Sequence, residues 1–192
     1  ISIGPIPLRG IAYGNGLFVA GGENGAIFTS PDGVNWTSRT SGTNNYLLDI
    51  VYTAGLFVAV GVLGTILTSP NGTAWTSRSS GTSNALYGVT FGNGLFVAAG
   101  VLGTILTSPD GTAWTSRSGG TSNNIHTVAY GNRVFVVAGN IGTIIRFTYT
   151  SDNWLTTGGF TERTVTSQKA SYRLFDGKWL NFNSDGSVTW NT

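Results

Sequence analysis

The side chains that could carry out chemistry in this chain are few and scattered. Eight carboxylates occur, and four of them precede or occupy glycine turns (Asp32, Asp110, Asp176 and Asp185). The other four are Glu23, Asp49, Asp152 and Glu162, and no spacing among them indicates the paired carboxylates of a glycoside hydrolase. His126 is the single histidine, and because there is no cysteine, no second strong ligand supports a metal site. We predict no catalytic residue, no metal and no cofactor, and therefore a protein that is not an enzyme.

The composition excludes several function classes. The chain has 192 residues, 9% of them charged and a formal net charge of +2, so no basic field is available to hold a nucleic-acid backbone. The absence of cysteine excludes a disulfide scaffold. No apolar run approaches the roughly 20 residues of a transmembrane helix, and we expect no membrane insertion. A length near 190 residues suits one domain spanning 1–192.

An internal repeat of 39 residues organises the whole chain. Phe18, Phe57, Phe96 and Phe135 follow one another at that step, in Leu-Phe-Val or Val-Phe-Val contexts. The segments 56–84 and 95–123 differ at only three of 29 positions. A diverged fifth unit follows after about five extra residues in the fourth. The repeats are approximately 5–43, 44–82, 83–121, 122–165, and 166–192 together with 1–4.

Each repeat contains four short strand-like runs separated by turn signals. In the second repeat the runs are Leu47–Tyr52, Leu56–Val60, Gly64–Ser69 and Trp75–Ser79, rich in β-branched and aromatic residues. Pairs such as Asn93-Gly94 between runs supply positive φ at low steric cost. No run shows a sustained helical period, so we expect essentially no helix.

Four antiparallel strands repeated five times predict an all-β, five-bladed β-propeller of four-stranded antiparallel blades. A β-solenoid is the main rival. The fifth unit ends after its third strand, and Ile1–Ile3 occupy the place of a fourth. We therefore expect the N-terminal strand to complete the C-terminal blade, which closes the ring and removes an open edge. A dimer of open half-rings is the alternative.

A tryptophan-containing turn recurs three times, as Ser30–Trp36, Ser69–Trp75 and Ser108–Trp114. It resembles the Asp-box of sialidase-type (BNR) repeats, although it is one residue shorter and has Asn71 where aspartate is expected. The resemblance implies a propeller fold and a structural role for the motif. Its residues are Ser30, Asp32, Gly33, Trp36, Ser69, Asn71, Gly72, Trp75, Ser108, Asp110, Gly111 and Trp114.

The resemblance does not extend to a sialidase-type active site. Such a site would need arginines from different strand positions to meet one carboxylate. Arg39, Arg78 and Arg117 instead occupy one equivalent position after each motif, so we expect them to form a ring on the outer strands. A sialidase-like glycoside hydrolase remains a lesser alternative. The diverged segment 146–176 is either an interface or a pocket.

Loops on one face of the predicted propeller are the candidate binding site. Asparagine offers both donors and acceptors, and tyrosine offers a flat apolar ring with a hydroxyl, a combination that suits sugars. Weak sites repeated around a ring would gain affinity through multivalency. The candidate ligand-binding residues are Glu23, Asn24, Asn44, Asn45, Tyr46, Asn84, Tyr87, Asn123, Asn124 and His126.

The predicted function is non-enzymatic, multivalent recognition of a glycan or of a cell-surface receptor. The repeat style also resembles propeller segments of bacterial surface proteins and of bacteriophage tail or fibre proteins. That resemblance implies an extracellular or virion-surface location. It also implies the alternative of a structural subunit that contacts neighbouring subunits, or of an engineered repeat scaffold. We expect no nucleic-acid partner.

Overall fold

The computed structural model describes residues 5–150, 153–155, 170–173, 179–182 and 188–191. Within them the chain is all-β and forms antiparallel sheets in sequence order. Sheet 1 consists of β1 (Leu8–Gly14), β2 (Leu17–Gly22), β3 (Ile27–Ser30) and β4 (Thr37–Arg39). Sheet 2 consists of β5 (Leu47–Thr53), β6 (Leu56–Gly61), β7 (Ile66–Ser69) and β8 (Thr76–Arg78). Sheet 3 consists of β9 (Leu86–Gly92), β10 (Leu95–Gly100), β11 (Ile105–Ser108) and β12 (Thr115–Arg117).

The fourth repeat is longer and the fifth is shorter. Sheet 4 consists of β13 (Ile125–Gly131), β14 (Val134–Gly139), β15 (Ile144–Thr150) and β16 (Asn153–Leu155). Its third strand has seven residues where β3, β7 and β11 have four. Sheet 5 has three strands, β17 (Ala170–Arg173), β18 (Trp179–Phe182) and β19 (Val188–Asn191). Residues 1–4, expected to complete this sheet, and most of the diverged segment 146–176 lie outside the described residues.

Helical structure in the described part is confined to four 3₁₀ turns of three residues each. They join the second and third strands of sheets 1 to 4, at Glu23–Gly25, Val62–Gly64, Val101–Gly103 and Asn140–Gly142. The backbone N–H of the first residue of each turn donates to a carbonyl just before the first strand, for example Val62 to Tyr46 at 3.0 Å. The turns and the loops between sheets therefore lie at one end of the sheets, which we call the loop face.

The core lies in the seams between consecutive sheets. The first strands β1, β5, β9 and β13 pack against one another in that order, and we call them the innermost strands. The fourth strand is the far edge of each of sheets 1 to 4. Between sheets 1 and 2 the buried side chains include Val19, Ile27, Leu47, Ile50 and Leu67. The same alternation of inward apolar residues builds the next two seams. Burial of these faces on each other holds the sheets together.

Tight contacts at the seams explain why the first strands β1 and β9 end in glycine. The Tyr52 ring lies directly over Gly14 of the preceding sheet, where an added Cβ would stand 1.9 Å from the ring. Tyr130 lies over Gly92 in the same way. A residue with a side chain at Gly14 or Gly92 would push the two sheets apart.

Each innermost strand carries a β-bulge at the same place. The cross-strand register advances by two residues on the first strand for one on its partner, so that Arg9, Leu48, Tyr87 and His126 are unpaired extra residues. We call these four the bulge residues. A bulge twists its strand locally and redirects a side chain. All four lie near the loop face, two residues after the carbonyl that anchors the 3₁₀ turn.

Candidate functional site on the loop face

The tryptophan turns form a hydrogen-bonded frame away from the loop face. The Asp32 carboxylate accepts the Val34 and Asn35 backbone N–H groups at 2.8 Å, and the Trp36 indole donates to the Gly33 carbonyl at 3.1 Å. The Asn35 and Val34 amides hold the pKa of Asp32 well below its usual range. Asn71 accepts the equivalent amides at 3.0 Å as a neutral side chain.

The third turn repeats this pattern with a charged acceptor. The Thr112 hydroxyl and amide, followed by the Ala113 amide, hold the pKa of Asp110 below its usual range. The Trp75 and Trp114 rings lie 6.3 and 6.4 Å from Phe57 and Phe96 and cover the adjoining seams. These turns are therefore occupied by their own internal contacts.

The three repeated arginines lie at the ends of the outer strands. The Nε of Arg39, Arg78 and Arg117 donates to a threonine hydroxyl of the third strand at 2.9 Å in each case. The three equivalent bonds make one repeated strand-to-strand contact. Each bond fixes one arginine against its own sheet.

Three of the predicted binding asparagines hold the loops in place. The side-chain amides of Asn45, Asn84 and Asn123 donate to Thr65, Thr104 and Thr143 at 2.8 to 2.9 Å. Their backbone N–H groups donate to threonine hydroxyls two residues earlier in the chain. The arrangement ties each loop between sheets to the following 3₁₀ turn. Asn124 makes a further link, since its Oδ1 accepts the Leu102 N–H at 3.0 Å.

The remaining predicted residues lie on the surface of the loop face. Tyr46 is 40% exposed, and its carbonyl anchors the 3₁₀ turn of sheet 2. Asn24 and Asn44 line a groove of about 520 Å³ beside sheet 1. Asn45 lines the equivalent groove beside sheet 2, of about 440 Å³, whose rim includes Leu63.

Tyr87 and His126 are bulge residues, and Glu23 is the 3₁₀-turn residue that contacts the bulge residue Arg9. Glu23 forms an ion pair with Arg9 at 2.6 Å, and the His126 ring nitrogen Nε2 lies 2.6 Å from Asn140 Oδ1. The Tyr87 and His126 rings stack with their centroids 5.3 Å apart. Sequence reasoning missed Arg9, Leu48 and Asn140. For Leu48, the signal that could have found it is the contrast between the nearly identical repeats 2 and 3, whose first strands differ; Arg9 and Asn140 lie in repeats 1 and 4, which that contrast does not cover.

The tip of each 3₁₀ turn presents an unusual backbone. Its middle residue has φ near +55°, and in sheets 2 to 4 that residue is Leu63, Leu102 or Ile141. These side chains are 63 to 67% exposed. Aliphatic and β-branched residues rarely adopt the left-handed region, which costs about 1–2 kcal/mol per residue. Sheet 1 has Asn24 here, which tolerates this conformation better.

One half-buried carboxylate lies between two innermost strands. Asp49 accepts the Ile50 and Val89 backbone N–H groups, each at 2.9 Å, and so bridges β5 to β9. Burial raises the pKa of Asp49, against the lowering effect of these two bonds. Among residues 5–148, no group of three or more His, Cys, Asp or Glu side chains could hold a metal ion.

Comparisons with known proteins define the fold. No family model matches the chain, and no curated protein matches it. YCF48 from Cyanidioschyzon merolae superposes with a TM-score of 0.64 at 14% identity, over 100% of this chain and 73% of that one. A YCF48 bound to D1 peptide gives 0.60 at 14%, over 97% and 63%.

Computationally designed proteins are similar to the same degree. The designed Ika4 protein gives a TM-score of 0.63 at 15% identity, over 78% of this chain and 96% of that one. The designed Ika8 protein gives 0.63 at 15%, over 96% and 61%. These structures are β-propellers, and the chain has a propeller fold. No helix in the described ranges is long and apolar enough to cross a lipid bilayer.

Proposed function

We propose that this protein is a non-catalytic recognition propeller that binds a protein partner through its loop face. The observation that carries the proposal is the exposure of Leu63, Leu102 and Ile141 at equivalent, conformationally strained turn tips. Exposed apolar groups in a strained backbone are typical of contact sites, because a partner compensates both costs. The similar YCF48 structure that holds a peptide supports a protein ligand for such a fold.

A glycan ligand has less support from the geometry. The amide side chains of Asn45, Asn84 and Asn123, expected to meet sugar hydroxyls, donate to threonines of their own turns. The exposed side chains at the adjacent turn tips, Leu63, Leu102 and Ile141, are aliphatic, whereas sugar faces favour aromatic rings. Glycan binding is therefore an outcome that the experiment below must distinguish.

The absence of catalysis remains part of the proposal. Each carboxylate within residues 5–148 already has a structural partner: Glu23 pairs with Arg9, Asp32 and Asp110 accept turn amides, and Asp49 bridges two strands. We propose that these structural roles, rather than general acid or base chemistry, account for the four carboxylates. We expect no turnover of glycoside substrates.

We further propose that five blades close into a ring. Ile11 is 61% exposed, whereas its equivalents Ile50, Val89 and Val128 are 4 to 8% exposed because each packs on the preceding sheet. Leu8 is 38% exposed, and its equivalents are fully buried. This face of β1 thus lacks the neighbour that the other blades have. The sheet formed by β17–β19, completed by the N-terminal strand, is the occupant that ring closure requires.

The location outside a cell or on a virion is also a proposal. A chain in which only 9% of the residues are charged has few charges to desolvate at an interface, which suits assembly with neighbouring subunits. Antibody labelling of intact particles or cells from the native source tests it. Labelling confined to permeabilised material would contradict this location.

The recognition proposal is tested by two parallel screens of the folded protein. One selects from a library of random dodecapeptides, and the other uses a glycan array. We expect enrichment of peptides that contain apolar residues and no glycan signal above background. Glycan binding without peptide enrichment would replace the proposal with a lectin function, and failure of both screens would overturn it.

A further inference from the structure

The innermost strands, which carry the bulge residues, differ far more between repeats 2 and 3 than the rest of these two repeats does. Repeats 2 and 3 differ at three of 29 positions over 56–84 and 95–123. Their innermost strands, Leu47–Thr53 and Leu86–Gly92, differ at six of seven positions. The blades therefore share a frame and differ where the innermost strands face one another. A function that needs unlike groups has to use these strands.

In sheets 1 to 4 the bulge residue is chemically different in each sheet. Its chemical type agrees with that of the first residue of the adjacent 3₁₀ turn. Arg9 pairs with Glu23 across sheet 1, and His126 with Asn140 across sheet 4, both at 2.6 Å. At the equivalent places sheet 2 has Leu48 with Val62, and sheet 3 has Tyr87 with Val101. Charged, aliphatic, aromatic and amide surfaces thus follow one another around the loop face.

The bulge residues of sheets 3 and 4 are in direct contact, and the other innermost strands pack side by side in the same order. The innermost strands pack in sequence order, and the stacked rings of Tyr87 and His126 join sheets 3 and 4 at a centroid distance of 5.3 Å. His126 is exposed and Tyr87 is half-buried. An exposed imidazole stacked on a half-buried tyrosine ring offers a flat surface to an apolar side chain.

We infer that the four bulge residues form a single asymmetric binding site at the loop-face end of the innermost strands. Its ligand is a peptide segment of a partner protein that places an apolar side chain on Tyr87 and His126 and a charged side chain beside Arg9 and Glu23. This inference rests on the proposed recognition function and gives it a location. A peptide fits because it offers charged and apolar side chains at strand-like spacing.

The copied repeats supply a matched substitution for the test. Tyr87→Leu installs the residue that repeat 2 already carries in the same bulge, next to a valine in both repeats, and thermal unfolding checks that the fold is retained. Leu48→Tyr, added in a double variant, restores the composition but moves the aromatic ring by one blade. Thr76→Ala, on the exposed outer strand β8, is the control.

Dodecapeptides enriched on the native protein are the probe, and their affinity is measured by titration for each variant. We expect Tyr87→Leu to weaken binding by about tenfold or more, as loss of a central aromatic contact does. The double variant should remain weak, and Thr76→Ala should bind as the native protein does. Recovery of binding in the double variant would contradict an asymmetric site.

Native affinity in Tyr87→Leu would place the peptides elsewhere on the propeller and overturn this inference while leaving the recognition function intact. If no peptide is enriched in the first screen, the recognition function fails and the site fails with it. The two failures are therefore distinguishable.

Discussion

Ring closure makes a specific prediction at Ile11. In the seams between sheets 1 to 4 the equivalent side chains are 4 to 8% exposed, and truncating a buried isoleucine to alanine typically costs about 2–5 kcal/mol. With 61% of Ile11 exposed, an open chain would lose only a minor part of that burial energy. The closed ring therefore predicts that Ile11→Ala destabilises the protein by about 2 kcal/mol or more.

The assay is urea unfolding of Ile11→Ala beside Ile50→Ala, the internal reference for a filled seam. We expect the two substitutions to lower the free energy of unfolding by similar amounts at all protein concentrations. We also expect the protein to sediment as a monomer. A loss below about 1 kcal/mol for Ile11→Ala alone would refute closure. A loss that depends on protein concentration would assign the face to a second copy.

Three further predictions concern the turns. Asp110→Asn should reduce the loss of folding stability in acid, and Asn71→Asp should increase it. The reason is that a carboxylate whose pKa is lowered in the folded state stabilises the fold at pH values above its unfolded-state pKa. This stabilisation is lost as the pH falls through the folded-state pKa. Gly64→Ala should lower the free energy of unfolding by at least about 2 kcal/mol more than Gly81→Ala does. Both glycines have positive φ, but an added Cβ at Gly64 would lie 2.0 Å from the Thr82 carbonyl oxygen, whereas one at Gly81 would meet nothing within 4 Å. Leu63→Asn should stabilise the fold by about 1 kcal/mol and weaken peptide binding.

Each of these predictions has a contradicting result. Identical acid-unfolding midpoints for the native protein, Asp110→Asn and Asn71→Asp would show that the turn carboxylates do not stabilise the fold. Equal chemical-denaturation losses for Gly64→Ala and Gly81→Ala would show that the loop carbonyl moves freely. A less stable Leu63→Asn in thermal unfolding would mean that the leucine makes favourable contacts that outweigh the backbone strain.

The blade frame was predictable because its determinants are local. The 39-residue step, the alternation within runs such as Leu56–Val60, and the asparagine–glycine turns all act within a few residues. The strands of sheet 2 accordingly begin and end within two residues of their predicted bounds. The prediction of essentially no helix holds for the described part apart from the 3₁₀ turns, which alternation does not reveal.

The site was harder to predict because it depends on partners distant in sequence. The sequence predicts Asn45 as a ligand-binding residue, but its hydrogen-bond partner Thr65 is 20 residues away, and only the folded structure shows this contact. A bulge at Leu48 or Tyr87 is a property of the register between two strands, not of either strand alone. Likewise, the sequence around Leu63 does not predict a left-handed backbone, since asparagine or glycine is the usual residue in that conformation.

The central claim is recognition of a peptide at the bulge residues, and the most direct test is to locate a bound peptide by amide chemical-shift changes in NMR spectra. We expect the largest changes at Tyr87 and His126, with smaller ones at Arg9 and Leu48, when the enriched dodecapeptide is added. Changes concentrated at Trp36, Trp75 and Trp114, with the bulge amides unmoved, would contradict it.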